Sequence, residues 1–176
     1  MKKRWALLAV VLLWLIPGNL QAQNDRREVL TLAEVFLTQL DVAIQQASFG
    51  SFSTTLHEVQ VQAHQVLNVA VGATDASFDT AVPNLGDSTG LLTYARRLGR
   101  VLEQNPDFHE YQLTLDNVRF FVQAATEVLK ATLKLRDPNS ARRQIRIAQG
   151  LLLAARGTPG DLPSEGGVRT LLALLN

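Results

Sequence analysis

Three histidines are the first place to look for catalysis or metal chemistry, because imidazole changes charge near neutral pH and readily ligates metals. Two of them open a zinc-protease pattern that fails at the decisive position. His57-Glu58-Val59-Gln60-Val61 and His109-Glu110-Tyr111-Gln112-Leu113 begin H-E-x-x, but Val61 and Leu113 stand where the second histidine belongs. The motif works only because residues four apart on a helix aim both imidazoles at one ion. His57 and His64 share a helical face but are separated by ~10 Å along the axis, too far to chelate one ion unaided. A surface or interface pair is the plainer reading, with Glu58 occupied as a helix cap. The Glu-x-x-His pairs of di-iron bundles are missing as well. Three residues beyond Glu34, Glu58, Glu103, Glu110, Glu127 and Glu165 stand Leu37, Val61, Pro106, Leu113, Lys130 and Val168.

The remaining chemistry is thinner. The chain has no cysteine, and its single methionine is Met1, so thiolate zinc, iron–sulfur and methionine-ligated haem or copper sites are excluded. There is no G-x-S-x-G elbow, no S-x-x-K (Ser140 is followed by Arg143) and no phosphate-cradling glycine loop. Neither a catalytic residue nor a cofactor is expected. The 73–89 segment carries Asp75, Asp79, Asn84, Asp87, Ser88 and Thr89, oxygen ligands of the kind calcium takes, without the register of an EF-hand. These residue types also compose ordinary solvated loops, where Asp87 or Ser88 would cap the next helix. Asp75, Asp79 and Asp87 are therefore weak metal candidates. Arg142, Arg143 and Arg146 cluster opposite the apolar positions of their helix, on a solvated face or a face for an anionic surface. No aromatic residue interleaves with them, so nucleic acid is not an expected partner.

The first twenty-two residues read as an export signal. Lys2-Lys3-Arg4 is a basic start, Trp5–Ile16 is an unbroken apolar run, and Pro17-Gly18 breaks it before Leu20-Gln21-Ala22. That run is shorter than the ~20 residues needed to span a bilayer. Cleavage near Ala22 would release residues 23–176 as one domain in the periplasm or outside the cell. Charge is unevenly spread: acidic residues dominate from Gln23 to Val118, and basic ones from Arg119 to Arg156. Two halves of opposite sign most simply face each other within one fold.

The elements that must position these residues are helical throughout. Capping boxes at Thr31–Glu34 and Thr55–Glu58 predict two helix starts, with stops at Gly50 and Gly72. A third helix is expected over 90–104. A fourth, about 30 residues or ~45 Å long, should follow Asn105-Pro106. Its seam would be Phe108, Tyr111, Leu115, Val118, Val122, Ala125, Leu129 and Thr132. The fifth starts at Asp137-Pro138 with Ala141, Ile145, Ala148, Leu152 and Ala155 inward, and Val168–Leu175 is a short terminal helix. The expected fold is all-α, a four-helix bundle with additional short helices. Off the main faces, Val35 with Val42 and Val61 with Val69 are candidates for a partner surface.

From Ala63-His64-Gln65-Val66-Leu67-Asn68-Val69-Ala70-Val71-Gly72 into the Asp/Gly-rich loop, the chain resembles uncharacterised exported bacterial helical-bundle domains. The resemblance implies a bundle and an extracytoplasmic address, and it carries no functional residue across. The expectation is an exported, non-enzymatic bundle acting through protein contacts as adaptor, scaffold or accessory subunit. Its partner would lie in the cell envelope or outside the cell. The alternative is a bundle that binds a small ligand or divalent ion with the His57, His64 and Asn68 face and the 73–89 loop.

Overall fold

The computed structural model describes the backbone from Lys2 to Leu175 and the side chains from Gln23 to Leu175. The proposed export signal, residues 1–22, lies outside the described side chains. Six α-helices and one 3-10 helix make up the described chain, with no strand. They are α1 (Lys2–Phe52), α2 (Leu56–Val71), α3 (Leu91–Gln104), the 3-10 turn Pro106–Tyr111, α4 (Gln112–Thr132), α5 (Pro138–Arg156) and α6 (Val168–Leu175).

α1 is the column against which the others are arranged, touching α2, α3, α5 and α6. α2 and α3 follow one another antiparallel to α1. α2 starts beside the α1 terminus, and by the end of α3 Asn105 donates to the Asp25 carboxylate at 3.4 Å. α4 returns along both, and Gln60 of α2 donates to the carbonyls of Leu133 and Leu135 just beyond its end. α5 then descends between α4 and α1, and α6 closes the far end, where Arg26 donates to the Leu175 carbonyl at 2.8 Å.

The apolar periodicity accounts for the core. Leu115, Val118, Val122, Ala125, Leu129 and Thr132 are fully buried in α4, as are Ala141, Ile145, Ala148, Leu152 and Ala155 in α5. In α1 the buried stripe is Val29, Ala33, Phe36, Leu40, Ala43 and Ala47. Of the off-face valines, Val69 belongs to the core, while Val35 and Val42 pack against it.

Several expected boundaries differ. Thr31 starts no helix: it lies inside α1, and its hydroxyl donates to the Arg27 carbonyl at 2.9 Å. A capping box needs an extended residue at the cap, and burial of Val29 two residues earlier keeps this backbone helical. Gly50 does not stop α1. A Cβ there would collide with the Ile145 side chain of α5, so the glycine serves close helix approach. The Thr55 box does form, with Glu58 accepting from the N–H groups of Thr54 and Thr55 at 3.0 Å each. The fourth helix is shorter than expected, because Pro106–Tyr111 winds as a 3-10 helix and leaves 21 residues in α4. α5 begins at Asp137-Pro138 as expected, with the Asp137 carboxylate accepting from the Ser140 N–H at 2.8 Å.

Candidate functional site

The 73–89 loop interrupts the α2–α3 column and folds back on itself. Ala73 N–H donates to the Ser88 carbonyl at 2.8 Å, closing the neck. Gly72 (φ 80°) and Gly90 (φ 88°) sit there in the left-handed region, each with its Cα against the opposite backbone. A side chain at either position would be both strained and blocked. The result is a compact Ω-type loop with its ends together.

Three of the residues singled out by sequence meet on this loop. Asn68 is completely buried. Its amide donates to the Asp79 carbonyl at 2.8 Å, and its oxygen accepts from the Asp79 N–H at 2.9 Å. His64, one turn earlier on α2, places Nδ1 3.4 Å from the Asp79 carboxylate. His57 is exposed at the other end of α2 and does not join them. The paired-histidine face therefore separates into one surface residue and one residue packed on the loop.

The aspartates do not converge. Each turns its carboxylate back on its own backbone: Asp75 accepts from Ser77 N–H, Asp79 from Ala81 N–H and Asp87 from Thr89 N–H. These are Asx turns, the usual use of Asp in a tight loop. The Ser77 N–H holds the Asp75 carboxyl below its ordinary value. Among the described residues no three His, Cys, Asp or Glu side chains gather as metal ligands. Asp87 and Ser88 do not cap α3 either, since Gly90 occupies that position without a side-chain bond. Asp87 instead accepts from the Tyr94 hydroxyl, and Gln39 of α1 accepts from the Asp87 N–H at 3.1 Å. Burial and the Asp87 carboxylate push the Tyr94 phenol up. Gln39 and Tyr94 are anchors that sequence reasoning missed, because their role depends on α1 and α3 lying beside the loop. The matched glycines at the two loop ends were the available signal.

The arginine cluster is more than a solvated face. Arg146 donates to the Ser51 carbonyl at 3.2 Å and Arg142 to the Ser53 carbonyl at 3.5 Å. Ser51 lies in the last turn of α1 and Ser53 just past its end, where backbone acceptors have no helical partner and the helix dipole is negative. Arg142 also donates to Asn139, and Arg143 to the Ser140 hydroxyl at 3.0 Å. Together Asn139, Arg142, Arg143 and Arg146 line a shallow recess of about 410 Å³. Among the described ion pairs, none joins these three arginines to a carboxylate.

No family model, no curated protein and no solved structure matches the chain. The functional reading therefore rests on the surfaces themselves.

Proposed function

We propose that residues 23–176 form an exported, single-domain four-helix bundle with additional short helices. α2 and α3 together fill one column beside α1, α4 and α5. On this reading the domain is not an enzyme and works through protein contact, as adaptor, scaffold or accessory subunit. The observation that carries it is the outward face of α5. Ile147 is 51% exposed and Leu153 43% exposed, with Gly150 between them and nothing within 4 Å of where its Cβ would be. A glycine inside a helix costs about 1 kcal/mol relative to alanine. No neighbour in this chain requires glycine there, whereas a partner backbone approaching closely would.

The test is a photo-activatable residue at position 147 in cells, with position 127 on the exposed face of α4 as control. A discrete protein adduct at 147 and none at 127 supports the reading; equal labelling or none overturns it. Intact mass of the chain from the envelope or medium tests export, with a mature start at Gln23 expected. The ion-binding alternative keeps one favourable observation, the approach of His64 to Asp79. Calcium or zinc at 100 times its dissociation constant would stabilise the fold by about 2.7 kcal/mol, so an unchanged melting temperature disposes of it.

A further inference from the structure

We propose that the pole at which α1 ends and α5 begins is a docking site for an anionic phospholipid surface, separate from the protein-contact face of α5. Two features of that pole are unusual together. Phe49 is 51% exposed and Phe52 77% exposed, the latter the most exposed large apolar side chain among the described residues. They are three residues apart, hence on one side of the helix end. The guanidinium groups of Arg142 and Arg146 are hydrogen-bonded to the carbonyls of Ser53 and Ser51, the residues flanking Phe52. Aromatic rings and fixed cations thus share one tip.

The positive charge at this pole is only partly answered within the chain. Lys134 and Arg136 lie in the α4–α5 connection at the same end, held there by the Gln60 bonds to Leu133 and Leu135. Its capping carboxylates, Glu58 on Thr54 and Thr55 and Asp137 on Ser140, stay anionic, but Lys134, Arg136, Arg142, Arg143 and Arg146 outnumber them. The guanidinium groups line an open recess along the first turns of α5. Guanidinium binds phosphate bidentately, and basic residues near a membrane attract anionic headgroups. The exposed rings favour lipid over an acidic protein. The phenylalanines stand exposed at a helix end, which suits insertion among acyl chains more than seating in a rigid pocket.

The chain lacks cysteine, so a single introduced thiol reports one position of the full-length protein. Phe49→Cys and, as control, Gln123→Cys are each labelled with an environment-sensitive fluorophore. They are mixed with vesicles of phosphatidylcholine alone or of phosphatidylcholine and phosphatidylglycerol in equal parts. The expected result is a blue shift and protection from an aqueous quencher at position 49 only, only with phosphatidylglycerol, and weakening with added salt. Arg143→Glu in the same chain is the decisive variant, because Arg143 bonds to Ser140 and lies near Asp137, both at the start of α5, and its loss leaves the α1 terminus intact. Each arginine near an anionic surface is worth about fivefold in partitioning, or ~1 kcal/mol, so this reversal should weaken binding at least that much. Phe52→Ser should weaken it further, with an unchanged melting temperature. Equal shifts on both vesicle types, or binding untouched by Arg143→Glu, would overturn the proposal. So would displacement by soluble polyglutamate as effective as that by phosphatidylglycerol vesicles, which would assign the pole to an acidic protein. None of these outcomes bears on the adducts at position 147, so the two readings fail separately.

Discussion

Replacing Asn68 by alanine isolates the contact that holds the loop to the helices. The side chain is fully buried, and it supplies both partners of the Asp79 peptide groups, at 2.8 and 2.9 Å. Truncation leaves one N–H and one C=O without a partner, at about 1–3 kcal/mol each if both stay dry. Asp79 is only half-buried, so water can reach part of the exposed backbone. The lower part of the range applies, about 2–3 kcal/mol in total. For a domain of this length each kcal/mol moves the midpoint by about 2–4 °C, giving a loss of ~5–10 °C in a thermal melt followed by circular dichroism. Limited proteolysis should open first between residues 73 and 86, because the neck at Gly72 and Gly90 and the Gln39 and Tyr94 bonds to Asp87 hold only the base of the loop. Asn68→Asp should be no better, since it sets an oxygen against the Asp79 carbonyl. Asp79→Ala keeps the backbone clamp and loses the bond from Ala81 N–H and the approach to His64, so it should cost less than Asn68→Ala. A melt of Asn68→Ala within a degree or two of the parent, with no faster cleavage, would refute the clamp and free Asn68 for a ligand.

Gly90→Ala meets both a positive φ and the Val71 backbone, whereas Gly160→Ala meets a positive φ of 94° with open space. The first should cost clearly more than the ~1–2 kcal/mol of left-handed strain expected for the second, as read by denaturant titration. Both tyrosines of the chain have phenols pushed up, Tyr94 and Tyr111 each chiefly by burial. Native tyrosinate absorbance should therefore rise above the ordinary value of 10.0, and the unfolded chain should titrate at it. Because the folded values are raised, this stabilisation is complete below the ordinary value and is lost as pH rises through the folded ones. Glu58 and Asp137 behave oppositely. Backbone N–H bonds from Thr55 and Thr54 lower Glu58, and the Ser140 hydroxyl and N–H lower Asp137. Their contribution is present above the ordinary carboxylate range and disappears as pH falls through the lowered values. Glu58→Gln, which keeps an acceptor for the cap, should flatten part of the acid dependence of the melting temperature.

Local rules reached far into this chain. The apolar stripes of α4 and α5, the Thr55 capping box, and the starts at Asn105-Pro106 and Asp137-Pro138 follow from short-range sterics and periodicity. The sequence alone therefore determined an all-helical chain, much of its core and the absence of sulfur chemistry. It also grouped His64 and Asn68 with the 73–89 loop, but not the pairing of Asn68 with the Asp79 backbone, because that depends on how a long loop folds back over α2. Tertiary contact decided the rest. Gly50 carried a stop signal, yet it sits inside a helix because Ile145 needs the space its missing side chain leaves. Thr31 carried a start signal, and burial of Val29 overrode it. The arginines of α5 looked like solvated charge on their own helix, since nothing local shows that another helix ends there with unpaired carbonyls. A hydrogen bond between residues some ninety positions apart, such as Arg142 to Ser53, leaves no mark on the periodicity of either segment. Only packing brings donor and acceptor together.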